Sequence, residues 1–135
     1  MQILLVDGSN VVRYKRESSE FRTYIEEERS NMLLKRINDL NKGGEIKIEI
    51  YFDGPYRKLI NESILTDLFF SKYKKADNLI VNAIYSYRDM GLEDDIFVVS
   101  SDNLLCKLCE QYQAKIIKTP EFLRKIDFID FAYMA

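Results

Sequence analysis

Five short apolar runs recur along this chain, each rich in β-branched or aromatic residues: 2–6 (QILLV), 46–52 (IKIEIYF), 64–70 (ILTDLFF), 96–100 (IFVVS) and 114–118 (AKIIK). Bounded by turn or charge signals, such runs read as strands. Between most of them lie helical patterns. From about Glu20 to Asn41, Phe21, Tyr24, Ile25, Met32, Leu33, Ile37 and Leu40 fall at roughly helical spacing, and Gly43-Gly44 stops the run. Residues 76–90 put Leu79, Ile80, Ala83, Ile84 and Tyr87 on one stripe before Gly91, and 103–113 carry Leu104, Leu105, Leu108, Cys109 and Tyr112 likewise. The order β-α-β-β-α-β-α-β predicts a mostly parallel five-stranded sheet with helices on its faces, a three-layer α/β/α domain. Only residues 53–63 separate the second and third runs, short for a crossover, and Asp67 suits an edge strand. After Pro120 the tail EFLRKIDFIDFAYMA is expected to form a last helix with an apolar side to cover.

A length of 135 residues suits one domain, 1–135, with one sizeable core. The apolar share of 47% and charged share of 31% exclude a disordered chain. No run approaches the ~20 apolar residues of a membrane span. A strand-like run begins straight after Met1 with no basic region before it, so no signal peptide is expected and the cytoplasm is the expected location. The chain holds no histidine, which removes His-based triads, the imidazole base and most zinc sites. Cys106-Lys107-Leu108-Cys109 has C-x-x-C spacing, but two further zinc ligands are missing and the pair sits mid-helix; both are read as half-buried structural cysteines.

In open parallel sheets, sites form at the carboxyl ends of the strands. The first run ends in Asp7 and the second in Asp53; the fourth ends at Ser100-Ser101-Asp102, and the third is followed by SKYKKAD, which sets Asp77 at the start of the next helix. Each aspartate alone has a structural explanation: Asp7-Gly8 and Asp53-Gly54 as turns, Asp77 and Asp102 as helix caps or first-turn acids. Four at one sheet edge, with no histidine, point to a hard divalent cation as their partner. Asp7-Gly8 also carries the strongest short hairpin signal. Yet Val11-Val12 runs into the charged RYKRESSE, and YFDGP has Pro55 where a ladder donor is needed, so neither pair leads into a returning strand. Both read as exits from a strand, Gly8 letting the backbone turn away.

Net charge is −2, which argues against a protein that binds nucleic acid through overall basicity. Distribution says more. Eight of the 20 basic residues (Arg13, Lys15, Arg16, Arg57, Lys58, Lys72, Lys74, Lys75) lie on loops at the acidic edge. Metal-binding acids rimmed by Lys and Arg suit a phosphodiester substrate, and Tyr14, Tyr56 and Tyr73 in the same loops suit stacking on unpaired bases. The same residues also fit ordinary solvated loops.

In this order and spacing, ILLVDGSNVV, IYFDGP, FFSKYKKADNLIV, IFVVSSDNLL and AKIIKTPEFL resemble the NYN branch of the PIN-like nucleases, over about residues 1–123, with the tail 124–135 outside the resemblance. The resemblance implies a parallel sheet of order 3-2-1-4-5 and an acidic cluster that binds Mg²⁺ or Mn²⁺ and hydrolyses RNA. It implies Asp7, Asp77 and Asp102 as metal ligands, directly or through water, with Asp53 at the matching position after strand two. Asn10 would orient water or phosphate and Ser101 would hydrogen-bond the cluster. From the charge placement, Arg13, Arg57, Lys72, Lys74 and Lys75 are the residues expected to meet substrate. The implied partner is RNA, single-stranded or in loops, with a ribosome or another RNA-processing assembly compatible and no membrane. Ser9 departs from the aromatic common at its position. Two other readings stay open: the same fold binding RNA or a protein without cutting, and a receiver-like phosphoacceptor built on Asp53, Ser101 and Lys118-Thr119-Pro120, which lacks the usual acidic pair after strand one.

Overall fold

The structure, a computed structural model, describes residues 2–14, 22–92 and 95–126. Strands β1 (Gln2–Asp7), β2 (Ile46–Phe52), β3 (Thr66–Phe70), β4 (Ile96–Val99) and β5 (Lys115–Ile117) form one sheet in the order β3-β2-β1-β4-β5, parallel throughout. Helices α1 (Gly8–Val12), α2 (Arg22–Leu40), α3 (Ala76–Asp89), α4 (Asn103–Gln111) and α5 (Thr119–Lys125) complete the described chain. Lys15, Arg16, Glu20, Phe21 and 127–135 lie outside the described residues, as do the side chains of Tyr24 and Ile25.

Successive side chains of a strand point to opposite faces, and the two cores divide accordingly. Leu4, Val6, Ile48, Ile50, Phe52 and Val99 pack with Val11 and Val12 of α1, Leu33, Leu34 and Ile37 of α2, and Phe122 and Leu123 of α5. Ile3, Leu5, Tyr51, Ile96 and Val98 pack on the other face against Ile80 and Ile84 of α3 and Leu105 and Cys109 of α4. The result is the expected three-layer sheet with β3 at one edge, where Asp67 is exposed. A receiver-like sheet has the order 2-1-3-4-5; here Asp53 follows a strand second from the edge, so that reading is set aside.

Several local expectations shift. β3 begins at Thr66, since Ile64 is fully exposed. Its helix-free connection from β2 is held by side chains: α2 supplies Asn31 Oδ1 to the Ile60 amide and Asn38 Nδ2 to Asn61, whose own amide donates to the Thr66 carbonyl. On α4 the buried stripe is Leu105, Cys106 and Cys109, while Leu104 and Leu108 face solvent. Both cysteines are therefore free, buried core residues rather than half-buried ones. On α2 the buried stripe takes in Leu34 and continues toward the helix start through Ser30, Arg29 and Glu26; Met32 and Leu40 are exposed.

Gly8 needs a different explanation from the one its sequence suggested. The chain after Asp7 turns directly into α1, and Gly8 has no positive φ. Its requirement is space: a Cβ there would stand 2.7 Å from Phe52 Cε1 and 2.9 Å from Ile50 Cγ2. The positive φ belongs to Gly54, at +91°, in the turn that leaves β2.

Candidate active site

The carboxyl ends of β1, β2 and β4 and the first turn of α3 deliver Asp7, Asp53, Asp102 and Asp77 to one cleft of about 530 Å³, which Ser9, Asn10, Arg13, Tyr14 and Lys75 also line. Asp7 lies deepest, 8% exposed. It caps α1, accepting from the Asn10 amide at 3.4 Å, and its other oxygen accepts from Ser100 Oγ at 2.9 Å. Burial pushes its pKa up from the ordinary 3.8 to about 6; the Ser100 and Asn10 bonds pull the other way, and the nearby charges of Asp53 and Asp77 add to the rise.

Asp53 is a knot between elements. Its amide donates to Ser9 Oγ at 2.8 Å, and its Oδ1 accepts from the Ala76 amide at 2.7 Å. Lys75, the N-cap of α3, provides no side-chain cap, so Asp53 satisfies that helix end from a distance. Oδ2 of Asp53 meets Arg13 Nη1 at 3.1 Å, and Arg13 Nε meets Glu26 Oε1 at 2.6 Å. Burial works against the Arg13 guanidinium, but Glu26 and then Asp53 outweigh it and hold its pKa above the arginine norm.

Asp77 is half-buried and Asp102 exposed. Asp102 caps α4 by accepting from the Leu105 amide at 3.0 Å, and its own amide donates to Ser100 Oγ at 3.1 Å. Ser100 is thus the serine that bonds the cluster. The resemblance had assigned that bond to Ser101, whose hydroxyl instead accepts from the Thr119 amide at 3.1 Å and does not line the cleft. Asn10 Oδ1 accepts from the Ser101 amide (3.1 Å) and Thr119 Oγ1 (2.6 Å), which leaves its amide nitrogen without a partner among the described residues. Glu26 lies in no motif, and the bonding roles of Ser9, Ser100 and Thr119 are marked only by their tertiary neighbours.

The basic rim divides. Arg13 and Lys75 line the cleft. Lys72 and Lys74 are exposed on the adjoining loop, which is tied to the Asp53–Gly54 turn by Lys72 N–H to Gly54 O (2.7 Å) and Gly54 N–H to Ser71 Oγ (3.0 Å). Arg57 lies over the Phe52 and Phe70 rings and donates to the Asp53 carbonyl at 3.1 Å, so it braces the turn and does not line the cleft. Tyr73 is fully exposed, Tyr56 is exposed with its ring edge against Phe70, and Tyr14 lines the cleft.

Among the described residues no three Asp, Glu, Cys or His side chains converge into a ready metal cage. The donor set nonetheless fits a hard cation of the Mg²⁺ type, which is held through one or two carboxylates and keeps much of its water. Asp7 is the best placed, because its hydrogen-bond donors are neutral and no described cation pairs with it. Asp53 is the least suited, because a guanidinium already neutralises it.

A parallel sheet of order 3-2-1-4-5 with aspartates gathered at its carboxyl edge places the chain in the PIN-like nuclease fold class. The chain belongs to the YacP-like NYN domain family, whose model matches residues 4–133. Two crystal structures of Rae1 (YacP) from Bacillus subtilis share the fold. A tryptophan-to-leucine mutant matches with a TM-score of 0.76 at 21% identity, over 96% of this chain and 77% of that one. The other structure matches with 0.74 at 20% identity, over 99% and 78%. No curated protein matches the chain.

Proposed function

We propose that this chain is a divalent-metal-dependent endoribonuclease, hydrolysing single-stranded or loop RNA in the cleft at the carboxyl edge of its sheet. The observation that carries the reading is that Asp7, Asp53, Asp77 and Asp102, from four separate segments, line one cleft with a buried carboxylate at its floor that no described cation pairs with. Membership of the NYN family supports RNA as the substrate class.

Asp7, Asp77 and Asp102 would provide the oxygen donors, directly or through water. Asp53 holds Arg13 and the start of α3 in place. What a bound Mg²⁺ or Mn²⁺ supplies is acidification of the attacking water and neutralisation of charge on the scissile phosphate. The free amide nitrogen of Asn10 can donate to that water or to a phosphate oxygen. Arg13 and Lys75 hold the phosphate, Lys72 and Lys74 lead the strand in, and Tyr73 offers its ring to an unpaired base.

The test is cleavage of labelled single-stranded RNA with Mn²⁺ against EDTA, by the wild type and Asp102→Asn. Products with Mn²⁺ alone, lost in the variant, are expected. RNA that is bound and left whole in Mn²⁺ would make the chain a binding module of the same fold, and full activity in Asp102→Asn would remove that aspartate from the chemistry.

A further inference from the structure

Glu26 has no part in that scheme, yet it is a carboxylate only 4% exposed on α2. It meets Arg13 at two atoms, Nε at 2.6 Å and Nη2 at 3.5 Å, a forked pairing that fixes the plane of a guanidinium. The third guanidinium nitrogen, Nη1, meets Asp53. Contacts thus run unbroken from α2 through Glu26, Arg13 and Asp53 to the first amide of α3.

An arginine beside four aspartates has an obvious alternative, which is to fold inward onto Asp7 and Asp77 and fill the place of a cation. Burying a carboxylate costs free energy unless it is paired, and Glu26 is paired with Arg13, which lines the cleft just after α1. Arg13 has five N–H groups; three are engaged by Glu26 and Asp53, and its side chain is 38% exposed. Among the described residues two N–H groups are left without a partner, the number a phosphate takes from a guanidinium in a bidentate pair.

We propose that Glu26 is a positioning residue: through its forked ion pair it holds the Arg13 guanidinium at the rim of the cleft, where it grips an RNA phosphate, and keeps it off the floor carboxylates. This rests on the cleft being the RNA site. It adds a residue of α2 to the substrate-binding machinery, one that never touches substrate.

Binding in EDTA separates the idea from cleavage. The anisotropy of a short fluorescein-labelled single-stranded RNA is measured with the wild type, Glu26→Gln, Arg13→Ala and the double variant. Arg13→Ala is expected to weaken binding roughly tenfold and Glu26→Gln by several-fold, the double variant binding no worse than Arg13→Ala because Glu26 acts through Arg13. Independent, additive losses would overturn the proposal, as would wild-type affinity in Arg13→Ala or no RNA binding by the wild type. Should Glu26→Gln melt early by circular dichroism, Arg13→Lys decides instead: it keeps the charge without the fork, and must bind more weakly than the wild type. Equal binding there overturns the proposal. Failure of the nuclease reading looks different, as intact RNA in Mn²⁺ while this order of affinities stands.

Discussion

Asp7 is a carboxylate placed where ionisation is costly, and that cost is measurable. Its pKa is raised from 3.8 to about 6 in the folded chain. Between these values the folded chain holds a proton that the unfolded chain has released. Stability of the metal-free protein should therefore fall as pH rises from near 4 to near 6 and stay lower above that. Each pH unit of displacement is worth ~1.4 kcal/mol, about 3 kcal/mol in all, and Asp7→Asn gives back roughly 1 kcal/mol through one lost hydrogen bond. Melting curves at roughly neutral pH should then show Asp7→Asn about 1–2 kcal/mol more stable than the wild type, and the gap should shrink toward pH 4. The next residue behaves oppositely. Gly8→Ala would drive a methyl into Phe52 and Ile50, costing about 1–3 kcal/mol by denaturant titration. Sequence made Asp7 legible because a polar group ends an apolar run. The reason for Gly8 was hidden, because the side chains that exclude a Cβ, Phe52 and Ile50, come from β2, more than forty residues later in the chain.

At the level of elements, the site is a set of helix starts tied to strand ends. Asp7 caps α1, Asp102 caps α4, and Asp53 reaches across to cap α3. Ser100 joins two of these by donating to Asp7 while accepting from the Asp102 amide. Ser100→Ala should lower cleavage about 10–100-fold, the usual loss when a ligand's supporting hydrogen bond goes, for roughly 1 kcal/mol of stability. Ser101→Ala, which frees only the Thr119 amide, should lower it far less; kcat for the two variants checks the ranking. The long helices could be read from periodicity, since α3 sets Ile80 and Ile84 on one face. α1 could not: Gly8–Val12 is little more than one turn, and its Val-Val pair carries strand propensity. The polar part of α2's buried stripe was equally unreadable, since Glu26 looks like a solvated charge until Arg13 is brought to it.

Over the whole molecule, a net charge of −2 conceals a division between the acids in the cleft and the lysines around it. The meeting of four aspartates was legible because parallel topology sends every strand's carboxyl end to one edge, whereas the strand order followed only from the resemblance to NYN domains. What the topology left open was which atoms touch, because single residues in one loop compete for the same partner, as Ser100 and Ser101 do. Replacing Lys72, Lys74 and Lys75 together by Ala should weaken RNA binding in EDTA roughly tenfold or more and flatten its dependence on salt, while leaving the melting temperature nearly unchanged. An unaltered salt slope would move the RNA path away from this loop. Asp7, on the proposed function, is kept buried and ionisable for chemistry at a cost in stability. That trade is tested by measuring Mn²⁺-dependent RNA cleavage and thermal melting on the same preparations of wild type and Asp7→Asn. The variant should melt higher and cleave nothing; cleavage at the wild-type rate would show that Asp7 is not needed for the chemistry.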